Sequence, residues 1–362
     1  MSTLANRAGP FTHTVNTVTR TMVWVILALV PGTFYGLWLF GWPAVMLFVI
    51  TLATALAAEA AMLKLLGQPV KARLLDGSAL LTGWLLAMSL PPWAPWWIGV
   101  LGSISAIVVA KHLFGGLGQN MFNPAMVARI VLLISFPVQL TLWVAPAPFG
   151  SASTPSFSQA LAIVADRTPV PEHMSAATSL GLLKTEHTRG MSMAQTSAQL
   201  PAADQLAIGR KSGSMGETSA GLLLAGGLLL LMLRIISWHI PVAVLGTLGT
   251  LAAVSNAIDP TRFASMPVHL LSGAAVLGAF YIATDYVTSP VSRSGQLLFG
   301  AGIGALTWVS RALGGYPEGL AFAVVLMNSL VPLIDRGFRP RVFGRSRRGK
   351  SLESKTQPKI HI

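Results

Sequence analysis

The fold expected of this sequence is all-α and polytopic: about ten transmembrane helices and one long extracytoplasmic loop. Three observations point there. Of 362 residues, 53% are hydrophobic and only 10% are charged, against roughly 25% charged in a soluble domain. The apolar residues fall into ten segments of near-membrane length, and the basic residues gather on one side of them. An ordinary soluble enzyme and a disordered chain are both excluded, because neither tolerates so much apolar surface. The absence of cysteine rules out disulfides, Cys-ligated iron–sulfur clusters and zinc–thiolate sites within the chain.

In chain order the segments are Met22–Phe40, Trp42–Leu66, Ser78–Leu90, Trp96–Leu113, Pro124–Val144, Thr218–Leu233, Ile240–Ile258, Met266–Thr284, Leu297–Ala312 and Pro317–Ile334. Most approach the roughly 20 residues that cross a bilayer core. Ser78–Leu90 is short and stops at Pro91-Pro92, so it reads as an incomplete or tilted span or as a buried helix. The first 21 residues are polar, and no cleavable signal peptide is evident. This divides the chain into an N-terminal segment 1–21, a first five-helix half 22–144, a loop 145–217, a second five-helix half 218–335 and a basic tail 336–362.

With the N-terminus inside, the inner side carries 17 Lys and Arg, while the short outer loops carry only Arg262 and Arg311. The positive-inside rule then puts both termini in the cytoplasm and the 145–217 loop outside it. The net charge of +13 thus reads as a topology signal facing anionic lipid, not as a nucleic-acid surface. The loop is rich in Ser, Thr, Ala and Pro and shows no clear helical or strand periodicity. An odd number of spans per half makes any internal repeat inverted, a plan shared by many transporters. Gly115-Gly116 and Gly314-Gly315 fall at equivalent positions under that inversion.

Polar groups at membrane depth are the first candidates for chemistry. Glu59 reads as an interfacial or paired carboxylate, or as an ion or proton relay. In Gly115-Gly116-Leu117-Gly118-Gln119-Asn120-Met121-Phe122-Asn123-Pro124, the two asparagines are three residues apart and would share one face of a helical turn. They could offer donors and acceptors to a planar heterocycle, or Asn123 could simply cap the following helix. Asp76, in Asp76-Gly77-Ser78, suits a helix N-cap. Asp285 closes the eighth segment, where the helix dipole disfavours a carboxylate and a partner is expected. Glu217 and Thr218, in GSMGETS at 213–219, suit the cap of the sixth segment. Gly300-Ala301-Gly302-Ile303-Gly304 suits close helix packing. The histidines show no metal-ligand spacing, and no P-loop, HExxH or GxSxG is present.

Jointly, Asp76-Gly77-Ser78, GGLGQNMFNPAM at 115–126, GSMGETS at 213–219, Ala283-Thr284-Asp285, GAGIG at 300–304 and GGYPEGLAFAVVLMN at 314–328 resemble a known family. It is the RnfD family, found in the Rnf electron-transport complexes. The chain is more distantly similar to the NqrB proteins of the sodium-pumping NADH:quinone oxidoreductases. The resemblance covers about residues 20–336 and implies FMN joined through its phosphate to a threonine. Thr178, in Glu172-His173-Met174-Ser175-Ala176-Ala177-Thr178, falls on that acceptor position. Glu172 replaces the family's Asp, and Ala176 its Gly; an alanine would resist a left-handed backbone if the motif required one. A flavin transferase would read this loop. The resemblance also implies a noncovalent riboflavin lined by Asn120, Asn123 and Asp285.

The expected protein is therefore a bacterial inner-membrane flavoprotein subunit of an ion-translocating ferredoxin:NAD oxidoreductase, with the 145–217 loop periplasmic. The chain has neither a Rossmann fingerprint nor cysteine ligands. NAD-binding, iron–sulfur and second FMN-bearing functions therefore fall to partner subunits. The rival readings are a quinone-reducing subunit of the related sodium pump and a non-redox solute permease.

Overall fold

The computed structural model describes residues 17–316 and 318–339, apart from the side chain of residue 194. The N-terminal segment 1–16, Pro317 and most of the basic tail, from 340 onward, lie outside the described residues. The described chain is an all-helical polytopic membrane protein, and each of the ten apolar segments contains helix. Four helices are long and apolar enough to cross a membrane: Val18–Leu65, Trp96–Phe114, His239–Ile258 and Leu320–Gly337. Three shorter apolar helices join them, Ser78–Ser89, Pro124–Ser135 and Ala220–Met232. Arg293–Ala312 is also 20 residues long but more polar.

The first two segments form one helical run, Val18–Leu65, broken only at Gly41, which has φ 72° and ψ −159°. An unbroken helix would hold residues 22 and 59 about 55 Å apart. Instead, the Cβ of Met22 lies 3.1 Å from where a Cβ on Gly77 would stand. Next to Gly77, the Ser78 hydroxyl accepts from Lys111 Nζ at 2.9 Å, and that ammonium donates to Glu59 at 2.8 Å. The chain therefore doubles back at Gly41. Glycine is needed for the positive φ, and Pro43 suits the first turn of the returning arm. The carbonyls freed at the bend are taken up by Trp93 Nε1, 2.8 Å from Phe40 O, and by Ala147 N–H, 2.9 Å from Leu39 O.

The two halves share one core. Leu29, Leu86 and Ile98 from the first belong to the same buried cluster as Leu277, Phe299 and Val324 from the second. Large side chains such as Phe34, Met232 and Ile258 face outward, 73–80% exposed. That apolar exterior is what lipid contact requires.

Each half contains a short helix, a left-handed glycine and a longer helical stretch. In the first half these are Val70–Leu74, Gly77 with φ 83° and Ser78–Ser89. In the second they are Met266–Leu271, Gly273 with φ 67° and Ala275–Ile282, whose last residues form a π-helical turn. The sequences correspond: Leu74-Leu75-Asp76-Gly77-Ser78-Ala79 against Leu270-Leu271-Ser272-Gly273-Ala274-Ala275. The first break lies beside Met22 and Lys111, at the end of the molecule that holds Thr21 and Asp285. The second lies beside Lys211, whose Nζ donates to Leu271 O, and beside Arg311, both at the opposite end. The halves are thus inverted relative to one another, and the eighth segment is a discontinuous helix, not a single span.

The long loop is more ordered than its composition suggests. It contains the helices Phe157–Val164, Ser179–Thr188, Met193–Ser197 and Ala203–Ile208. Their shortness hid them: the first has a Ser156–Gln159 capping box, yet too few turns for a periodic signal to emerge.

Candidate functional site

Asn120, Asn123 and Asp285 line one cavity, about 90 Å³ in volume, at the end of the molecule that holds Thr21. Its walls are mainly apolar, among them Val25, Leu85, Ile236 and Phe280. The two asparagines do not share a helix. Residues 115–118 turn on three positive-φ glycines instead, and this turn carries Asn120 to the cavity. Asn120 Nδ2 donates to Phe122 O at 3.1 Å. Asn123 is the N-cap of Pro124–Ser135, its Oδ1 accepting from Met126 N–H at 3.3 Å. Its Nδ2 meets Ile282 O at 3.5 Å. The capping role is therefore real, and it coexists with the place of Asn123 in the cavity wall. Asp285 also finds its partners nearby. Val287 N–H donates to it at 3.4 Å and the Thr288 hydroxyl at 3.1 Å, so the carboxylate caps the turn that follows it.

Sequence reasoning missed Asn328, although it sits inside the GGYPEGLAFAVVLMN run. Its Oδ1 accepts from Asn123 N–H at 3.1 Å, and its Nδ2 donates to Thr288 O at 2.8 Å. Buried to 2% exposure, it ties the tenth segment to both cavity-lining stretches. Glu59 is paired, with Lys111 Nζ at 2.8 Å and His112 Nε2 at 3.0 Å. Lys111, an inner-side charge by its place in the sequence, is buried in this pair. Neither partner was legible, because each lies more than 50 residues away in sequence.

At the opposite end, Thr178 is the N-cap of the Ser179–Thr188 helix. Its Oγ1 accepts from Gly181 N–H at 3.0 Å, and the residue is buried at 4% exposure. A short antiparallel pairing leads into it, with Ala145 N–H on Met174 O at 2.8 Å and Ala176 N–H on Trp143 O at 3.1 Å. Ala176 is not among the residues with positive φ, so alanine at that position carries no backbone strain.

The GSMGETS stretch is buried between the halves. Gly216 N–H donates to Met88 O at 2.7 Å, and a Cβ on Gly216 would stand 2.5 Å from Leu277 Cδ2. The cap of Ala220–Met232 is Ser219, not Glu217 or Thr218; its hydroxyl accepts from Leu222 N–H at 3.3 Å. Glu217 accepts instead from the Ser214 hydroxyl at 2.8 Å. Burial, with Glu318 adding repulsion, pushes the Glu217 pKa up to about 7; Arg129, the Ser214 hydrogen bond and Lys211 oppose it. Burial likewise pulls Lys211 down, to about 8. Arg311 lies 3.4 Å from Glu318 and caps the broken eighth segment, donating to His269 O at 2.6 Å and Ser272 O at 3.3 Å.

Residues 5–344 match the model of the NQR2, RnfD, RnfE family. A protein from Stutzerimonas stutzeri, named as the D subunit of an ion-translocating oxidoreductase complex, is 55% identical over 93% of this chain and 95% of its own length. Proteins of the same name from Halorhodospira halophila and Rhodobacter capsulatus are 50% and 51% identical. The first covers 96% of this chain and 97% of its own length, the second 83% and 84%. A family match over nearly the whole length, with relatives 50–55% identical over most of the chain, means that the chain belongs to the NQR2, RnfD, RnfE family.

Proposed function

We propose that the chain is the flavin-bearing membrane subunit of an Rnf-type ion-translocating ferredoxin:NAD oxidoreductase complex, with FMN esterified to Thr178 and redox turnover coupled to Na+ or H+ movement. The names of its relatives support the complex. The place of Thr178 supports the attachment. Its hydroxyl stands at the N-terminus of a 10-residue helix, where backbone N–H groups and the helix dipole favour a phosphate. The Thr178 oxygen would hold the tether, the Gly181 amide already donates to that oxygen at 3.0 Å, and the pairing of 143–145 with 174–176 fixes where the helix begins. When bound, FMN supplies one- or two-electron transfer, and the protein sets its position and potential.

In the same reading, a noncovalent riboflavin occupies the cavity of Asn120, Asn123 and Asp285. Apolar walls with a few convergent amides and hydroxyls suit a heterocycle. The excess of basic residues at one end supports a bacterial inner-membrane setting, with cytoplasmic termini and a periplasmic loop. NAD-binding, iron–sulfur and second FMN-bearing chemistry belong to partner subunits, and a flavin transferase matures the loop.

Peptide mass spectrometry of residues 168–189 from native material tests the attachment. The expected result is an FMN-sized adduct on Thr178; a bare Thr178 in fully matured complex rejects it. Thr178→Ala should abolish the covalent flavin band on a denaturing gel and lower electron transfer by the complex at least about tenfold, near 1.4 kcal/mol in barrier terms.

A further inference from the structure

The Ser179–Thr188 helix runs along a second cavity, of about 210 Å³. Leu180 and Leu183 give it an apolar floor, and Lys184, Arg262 and Arg311 bring three cations to it. Among the described residues that line it, there is no Asp or Glu. Arg311 and His269, at 8% and 5% exposure, each keep a buried nitrogen, Nε and Nδ1, without a hydrogen-bond partner. Buried polar atoms are nearly always satisfied, so Arg311 Nε–H, a donor in every protonation state, leaves this positive cavity short of an acceptor. Glu318, 3.4 Å away, and Glu217 offset part of the Arg311 charge, but among the described residues Lys184 donates to the neutral carbonyls of Gly314 and Tyr316. Arg262 stacks over the Phe263 ring, 5.4 Å from its centroid.

The cavity lies within reach of Thr178. Leu180 is two residues along the helix, and Lys184 six, or about 9 Å along its axis. A ribityl chain and tricyclic ring starting from the Thr178 oxygen cover that distance. We propose that this basic cavity seats the ring of the flavin tethered at Thr178, with Arg262, Lys184 and Arg311 favouring the charge it gains on reduction. This rests on the covalent attachment proposed above. One electron added to a neutral ring leaves one negative charge unless a proton follows. Cations at the ring stabilise that charge in a partly buried site far more than they would in bulk water, so the midpoint potential rises.

The test is a dithionite titration of the purified intact complex, followed optically. The transition missing from Thr178→Ala identifies the tethered flavin. Arg262→Gln and Lys184→Gln should each move that transition to lower potential by about a tenfold change in the redox equilibrium, or about 59 mV for one electron. Arg189→Gln, at the C-cap of the same helix and outside the cavity, should leave it unchanged. Arg262 is exposed, so its substitution leaves no void and decides the matter even if Lys184→Gln folds poorly. A Thr178 adduct with an unmoved potential in Arg262→Gln overturns the cavity assignment and leaves the attachment standing. A wild-type chain without the adduct overturns both.

Discussion

Glu217 and Lys211 show how a single residue's surroundings set its behaviour. Both belong to the polar connection between the halves, yet both are buried. The pKa of Glu217 rises from 4.5 to about 7. Between those values the unfolded chain gives up its proton while the folded one keeps it, so stability falls as pH rises, and the full cost is present above pH 7. Lys211 does not contribute to that slope, since its folded and unfolded pKa values are about 8 and 10.5. Scanning fluorimetry in detergent should therefore find wild type less stable at pH 8 than at pH 5. Glu217→Gln should flatten the difference, recovering on the order of 2 kcal/mol at most. An equally steep slope in the variant would locate the titrating group elsewhere. Asn123 makes a different point about single residues: the cap and the cavity wall are one side chain, so spacing could not choose between them.

At the scale of elements, glycine decides how closely helices meet. A Cβ on Gly304 would stand 2.5 Å from Val244 O, and one on Gly300 would stand 2.8 Å from Ile240 O. Both press the Arg293–Ala312 helix against His239–Ile258. Gly304→Ala should cost about 1–3 kcal/mol through forced separation, whereas Gly315→Ala, with no neighbour among the described residues within 4 Å of its Cβ, should melt like wild type. The apolar segments and this glycine seam were readable in advance because hydropathy and small-residue spacing are local signals. The Gly41 reversal was readable as the break between the first two spans; what the sequence did not show is that helix runs on both sides of Gly41 with only that residue non-helical. The break at Gly273 was not readable, because Leu270–Ile282 is mainly apolar and its one Ser-Gly step does not stand out. Only the matching break at Gly77, seen in three dimensions, identifies it. The loop helices escaped for the opposite reason. They are short and mixed in composition, and packing stabilises them: Leu180 and Leu183 sit against Ala264 and Val268.

For the whole molecule, inversion places one glycine break near each end and one buried ion pair beside each break: Lys111–Glu59 at one, Arg311–Glu318 at the other. The proposed orientation is directly measurable, since the chain has no native cysteine. Ser153→Cys should react with an impermeant maleimide in intact cells, and Arg339→Cys only after permeabilisation; the reverse pattern would put Thr178 in the cytoplasm. Thr178, only 4% exposed, also imposes an order of events on the proposed attachment. Any enzyme that esterifies it must meet the chain while this helix start is open. If FMN is attached as proposed, maturation is a race between closure and modification, and a copy that closes first must reopen locally at this helix start before it can be modified.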